Sequence, residues 1–139
     1  MALTKKQRAE LRMKFGGHCA YCGCELKEKG WHADHVEAVY RKWEFGPRRA
    51  DGTRRTVATG EHERPENDTV DNLFPACVPC NLFKSVDSIK QFRERIATQV
   101  DVTRRASRSY RTAESFGLVQ PTNVPVVFWF EKYQQQEEA

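Results

Sequence analysis

Two C-x-x-C pairs, Cys19-Ala-Tyr-Cys22 and Cys77-Val-Pro-Cys80, bracket an Asp34-His35 dipeptide and the run Asp71-Asn72-Leu73, and Asn81 follows the last cysteine directly. Thiolates spaced this way suit a structural zinc ion, and the polar residues suit hydrolysis of a phosphodiester. That reaction needs a base to activate water, a cation to neutralise charge growing on the phosphate, and a group that aims the base. Neutral imidazole titrates near physiological pH, so His35 can be the base. Asp34 is a hard oxygen donor suited to Mg2+ or Mn2+, and the side-chain carbonyl of Asn81 offers a second ligand. Asn72 can bond backbone on either side of its loop and hold His35 in orientation.

A C-x-x-C turn sets two thiolates on one side of an ion, and two such turns close a tetrahedral shell at Zn–S distances near ~2.3 Å. Four thiolates leave no open position, so Cys19, Cys22, Cys77 and Cys80 predict a structural zinc rather than a catalytic one. The 54 residues between Cys22 and Cys77 exceed a simple zinc ribbon, so something folded must lie between the pairs. A redox pair or four free thiols is the competing reading, and two matching pairs argue against it. Cys24 is the odd cysteine of five, because it breaks the shared spacing.

Adjacent residues on a regular strand point to opposite faces. Asp34 and His35 can therefore serve one site only if the backbone bends or ends there. A lone Asp-His pair would read as an exposed loop without chemistry; its position between two cysteine pairs, with asparagine at both further positions, changes that reading. His32 can share the strand face of Asp34, in a supporting or a solvated role. His62 falls in the long polar stretch and reads as exposed, and His18 as structural or exposed. Lys84, one turn after Asn81, could contact a phosphate or stay solvated.

The elements that must position these residues are legible in part. Thr4 and Gln7 make a capping-box signature and Leu11 and Phe15 stack one turn apart, which predicts a helix over 4–15 stopped by Gly16-Gly17. Cys19 to Cys24 reads as a tight knuckle around Gly23, and residues 31–36 as a short strand. The stretch 40–70 is polar and rich in Gly, Pro, Asp and Arg, and reads as a long loop of the functional or disordered kind. Its pairs Arg48-Arg49 and Arg54-Arg55 could touch phosphates. Pro79 opens a helix carrying Asn81 and Lys84. A Ser or Asp near 85–87 is expected to cap another, whose stripe Val86, Ile89, Phe92, Ile96 and Val100 is core packing. Arg104, Arg105, Arg108 and Arg111 make 103–111 arginine-rich, 124–130 reads as a strand despite Pro125, and 134–139 as a disordered tail.

At 139 residues the chain fits one domain with a core small enough to benefit from a metal staple. Its 23 Lys plus Arg against 19 Asp plus Glu, with pI ≈ 8.9, permit a nucleic-acid partner without demonstrating one. No stretch approaches the ~20 apolar residues of a membrane span, and the first residues lack the apolar core of a signal peptide. A cytoplasmic location, that of the host cell if the source is viral, is the expectation, and there paired cysteines are more often ligands than disulfides.

The combined pattern resembles the HNH endonuclease family, in its branch with a four-cysteine zinc site. The family order is C-x-x-C, Asp-His, Asn-Leu, then C-x-x-C followed by His or Asn, then Lys; here it runs Cys19-x-x-Cys22, Asp34-His35, Asn72-Leu73, Cys77-x-x-Cys80-Asn81, Lys84. The resemblance covers roughly residues 15–95. It implies an α+β fold, a small zinc-stapled ββα-metal core (treble-clef-like) with an N-terminal helix and a C-terminal helix/strand extension. The nuclease domain would span 1–100, with 101–139 packed on or flanking it. It also implies that His35 is the general base and that Asp34 and Asn81 hold one divalent cation. Asn81 stands where His is commoner, the variant called HNN, which favours Mg2+ or Mn2+ over softer metals. The 36 residues between His35 and Asn72 exceed the family's usual hairpin. Small phage-type nucleases look similar. The expected activity is metal-dependent cleavage of DNA, by nicking or double-strand cutting. Its rivals are a zinc-containing DNA-binding module without catalysis and a packaging-accessory protein whose region after residue 100 docks a partner.

Overall fold

Thr4 and Gln7 cap each other: the Gln7 N–H donates to the Thr4 hydroxyl at 3.1 Å and the Thr4 N–H donates to Gln7 Oε1 at 3.0 Å, a reciprocal arrangement worth about 1 kcal/mol. The structure is a computed structural model and describes residues 2–138. Helix α1 covers Lys5–Arg12, shorter than the expected 4–15, and buries Leu11. The cysteine knuckle follows, then strands β1 (His32–His35), β2 (Tyr40–Phe45), β3 (Thr56–Glu63) and β4 (Leu73–Ala76), and helices α2 (Val78–Lys84), α3 (Ile89–Ala97), α4 (Gln99–Ala106), α5 (Arg108–Ser115) and α6 (Trp129–Glu138).

The strands form two antiparallel pairs. β1 pairs with β4, His32 opposite Ala76 and His35 opposite Leu73. β2 pairs with β3, with a register shift between Arg41 and Trp43. Pro75 sits inside β4 because a two-stranded pair leaves its outer edge free of ladder bonds, and its carbonyl accepts from Ala20 N at 2.9 Å. The fold is thus mixed α+β, with six helices and two small sheets among the described residues.

The core gathers around aromatic rings. Tyr21, Phe92 and Phe128 are buried and mutually in contact; Phe92 and Phe128 stack at 5.4 Å, and Phe15 meets Phe74 edge-on at 4.9 Å. Each such ring contributes roughly 1.5–3 kcal/mol by burial. The C-terminal segment belongs to this core: Trp129 N and Phe130 N donate to the carbonyls of Tyr21 and Ala20 at 3.0 and 2.9 Å.

Several expectations are corrected. Residues 40–70 are not a structureless loop; they hold β2, β3 and two single 3-10 turns, Pro65–Asn67 and Val70–Asn72. The cap of α3 is Ser88, not a residue at 85–87, and the long apolar stripe is split: α3 ends at Ala97, Val86 and Val100 are exposed, and only Ile89, Phe92 and Ile96 turn inward. Residues 124–130 form no strand. Arg93 donates to Val126 O at 2.8 Å, the amides of Trp129 and Phe130 donate to the knuckle, and Trp129 starts α6. The tail from Gln134 to Glu138 is helical within α6, and Ala139 lies outside the described residues. No described helix is long and apolar enough to cross a membrane.

Candidate functional site

The knuckle is built by its own backbone. Cys19 N donates to Cys24 O at 2.8 Å and Gly23 N to Cys19 O at 3.0 Å. Gly23 takes φ +81°, and a Cβ there would lie 3.0 Å from the Trp129 ring, so both conformation and packing demand glycine. Cys77 precedes α2, where Asn81 N donates to Cys77 O at 3.0 Å. The sulfurs of Cys19, Cys22, Cys77 and Cys80 all lie within 4.8 Å of one another, and Cys22 and Cys77 are 3.8 Å apart. A tetrahedron with ~2.3 Å metal–sulfur bonds has edges of about 3.8 Å, so the four thiols could hold a metal ion. A hydrogen bond from Cys80 draws the Cys19 thiol down to about 4, against its burial. Cys24 is exposed, outside the four, with its thiol pushed up to about 12, first by burial and then by Cys22.

β1 carries two sets of side chains. On the face turned to α2, Asp34 is buried, and its Oδ2 accepts from the Tyr21 hydroxyl at 2.5 Å and from the fully buried Lys84 ammonium at 3.1 Å. Lys84 Nζ also donates to His35 O at 3.0 Å. Burial pushes the Asp34 carboxyl up, opposed by Lys84 and then by Tyr21. On the same face, one turn earlier along α2, Asn81 Nδ2 lies 2.7 Å from His32 Nδ1. His32 thus shares the face of Asp34 and touches Asn81.

The other face carries His35. The strand ends at this residue, and its ring Nε2 lies 2.9 Å from Asp68 Oδ1, both side chains about one-third exposed. The His35 bond, as the largest cause, holds the Asp68 carboxyl below its ordinary range. The pair lines a cleft with Leu3, Arg8, Ala33 and Leu73. Asn72 staples the margin: its Oδ1 accepts from Glu37 N at 2.9 Å, and its Nδ2 donates to Glu37 O at 2.8 Å and Asn67 O at 2.7 Å.

Set against expectation, the structure brings together the four cysteines, and Asp34 with Lys84. It gives Asp34 and His35 separate partners on opposite faces. Lys84, read as a phosphate contact, is fully buried because it neutralises Asp34, and in this arrangement it has no surface to offer a phosphate. Arg48, Arg49, Arg54 and Arg55 are exposed at the far end of the β2–β3 hairpin. His62 lies on exposed β3, and His18 bonds Gly23 O at 2.9 Å and packs at a tilt against Trp129. Two residues escaped the sequence reading. Tyr21 could have been found, since a tyrosine inside a C-x-x-C turn that is buried must place its hydroxyl on a partner. Asp68, in a polar run, gave no signal. No protein-family model, no curated protein and no solved structure matches the chain.

Proposed function

We infer that the protein is a metal-dependent endonuclease that hydrolyses phosphodiester bonds in DNA, by nicking or by double-strand cutting, with a structural zinc in the four-cysteine cage. The observation that carries this reading is the partly exposed pairing of Asp68 with His35, the last residue of β1, beside the strand pair and helix that the cysteines flank. When Nε2–H donates to the Asp68 carboxylate, the lone pair of the imidazole is left on Nδ1. That nitrogen takes a proton from water, and the carboxylate steadies the imidazolium that results. Water is the nucleophile, so no covalent enzyme intermediate forms. Asn72 fixes the backbone two residues beyond His35 and thereby the direction of the ring.

The donors that would hold a catalytic cation are the Asp34 carboxylate and the Asn81 carbonyl, an oxygen set that suits Mg2+ or Mn2+. Such a cation would offset charge on the phosphate and the leaving oxygen. Asp34 already carries a buried ammonium and a hydroxyl on Oδ2 and faces away from the His35 ring, so the cation would have to share this carboxylate with Lys84 and meet the phosphate around the end of β1.

The test is conversion of supercoiled plasmid by zinc-loaded protein, with Mg2+ or Mn2+ added or withheld. Cleavage should appear with either metal and disappear in His35→Ala. A folded, zinc-loaded chain that leaves DNA intact with both metals would refute the reading. It would leave the accessory-module reading, for which the exposed Phe116 (78%) and Leu118 (80%) after α5 offer an apolar docking point.

A further inference from the structure

The β2–β3 hairpin is the part of the molecule that the hydrolytic reading does not use. Every residue of β3 is exposed, and on β2 Trp43 and Phe45 remain 56% and 70% exposed. Burial therefore does not explain two large aromatic rings here. From Trp43 to Phe45 the register is regular, opposite Ala58 and Thr56, so the rings stand on one face of the ribbon above small side chains. Residues two apart on a strand are separated by about 6.6–6.8 Å. This is close to twice the ~3.4 Å spacing of stacked bases, room for one flat base between two rings. Beyond Phe45 the tip, residues 46–55, holds Arg48, Arg49, Arg54 and Arg55 against one acid, Asp51. That is a net of +3 in a chain whose net charge is +4. The acid is spent internally, since its Oδ1 accepts from Thr53 N at 2.9 Å and from Thr53 Oγ1 at 2.6 Å and shapes the turn.

An exposed aromatic pair beside a concentrated positive tip is the combination that binds unpaired nucleic acid: backbone phosphates lie along the arginines while bases stack on the rings. A paired duplex keeps its bases stacked on one another and presents only phosphates to such a surface. We propose that the hairpin is a binding arm for a single-stranded segment of nucleic acid, with Trp43 and Phe45 as the stacking platform and the four tip arginines as the phosphate contacts. The occupant is an unpaired strand, as in a displaced strand, a flap or a junction. This deepens the nuclease reading by naming its substrate class, and it rests on that reading only for the nucleic-acid partner, not for cleavage.

The experiment follows intrinsic tryptophan fluorescence of the full zinc-loaded chain with no Mg2+ or Mn2+ present, titrated with a ten-nucleotide oligo(dT) and, separately, with a blunt duplex. Trp31 is buried and Trp129 is half-buried with its Nε1–H on Phe15 O, so quenching by a stacked base reports on Trp43. Oligo(dT) should quench; the duplex should bind more weakly and quench little. Trp43→Phe should bind but lose the quench. The double variant Trp43→Ala/Phe45→Ala should lose affinity on the order of tenfold or more per ring. Arg48→Ala/Arg54→Ala should flatten the salt dependence of binding. Circular dichroism and zinc content should match the parent in every variant, since these side chains are exposed. Equal quenching by duplex, no quenching by oligo(dT), or undiminished affinity in the double variant would each overturn the proposal. Plasmid cleavage with Mg2+ is scored separately: an inactive chain that still shows Trp43-dependent quenching removes the nuclease reading and keeps the arm.

Discussion

The molecule holds two antiparallel strand pairs of opposite character. In β1–β4, three of the four residues of β4 are buried, and the pair lies between the cysteine cage, α1 and α2. In β2–β3 the longer strand is exposed at every position. The first is a platform held by its surroundings. The second is held by its own ladder, by exposed contacts such as Lys42–Glu61 at 3.6 Å, and by the Arg64 guanidinium over Tyr40 at 5.3 Å. Isolated hairpins are marginal in water, and exposed ion pairs add little. On the proposed function the contrast would separate two tasks. Proton transfer needs groups fixed to fractions of an ångström, and His35 stands at the end of the packed pair. Grasping a flexible polymer tolerates motion, which the exposed pair would allow.

The largest expected effect breaks the buried half. Cys77→Ser, or removal of zinc by a strong chelator, should unfold the domain, since structural zinc contributes on the order of 10 kcal/mol or more in small zinc domains. Metal analysis should return one zinc per chain and circular dichroism should show the collapse. A chain that keeps its fold without metal would show that the aromatic core suffices. Next comes the buried ion pair. Lys84→Met strands Asp34 among apolar neighbours and should cost about 3–5 kcal/mol by denaturant unfolding, while the double variant Lys84→Met/Asp34→Leu should recover most of it. Burial already raises the Asp34 carboxyl and Lys84 is the main opposing influence. Removing it raises the folded value further, so the carboxyl stays protonated only in the folded chain. The penalty should be small in acid and grow as pH climbs above the unfolded value near ~3.9.

The third pair of variants probes the histidine at the edge of the platform. His35→Ala should leave the melting curve nearly unchanged and lower cleavage about 10²–10⁴-fold. Asp68→Asn should cost less, about 10- to 100-fold, as when the carboxylate that orients an imidazole is removed. It should also shift the pH–rate profile, because the base loses its anionic partner. If Asp68→Asn changes neither rate nor profile, the 2.9 Å contact is a surface pairing without a catalytic role.

How much of this was readable from residue order follows the same division. The cysteine pairs, the Thr4 cap and the α2 residues were legible because each is a local signal: fixed spacing, a capping box, a proline near a helix start. The β2–β3 hairpin was not, because both faces are wet and no apolar–polar alternation marks it, although Tyr40, Trp43, Phe45, Thr56 and Val57 are good strand formers. Residues 124–130 misled in the opposite direction. Val124, Val126, Val127 and Phe128 look like a strand, yet the knuckle offers only the carbonyls of Ala20 and Tyr21, too short an edge to extend. Lys84 read as a surface lysine because its partner lies 50 residues earlier, a distance at which a single sequence carries no pairing information.

The smallest expected effect sharpens the comparison most. Leu73 and Phe45 are both apolar residues of a strand, 3% and 70% exposed. Leu73→Ala should cost about 2–5 kcal/mol, because it empties a packed site between α1 and the sheet that cannot fully close. Phe45→Ser should change unfolding free energy by no more than about 0.5 kcal/mol, since it removes little buried area and leaves the ladder bonds in place. Denaturant unfolding of the two variants at fixed zinc decides the matter. A loss of more than ~1 kcal/mol in Phe45→Ser would mean that the ring is packed in solution, folded down over Thr56 or onto the body. The hairpin would then be part of the core rather than an open arm, and the free face on which a stacked base depends would not exist.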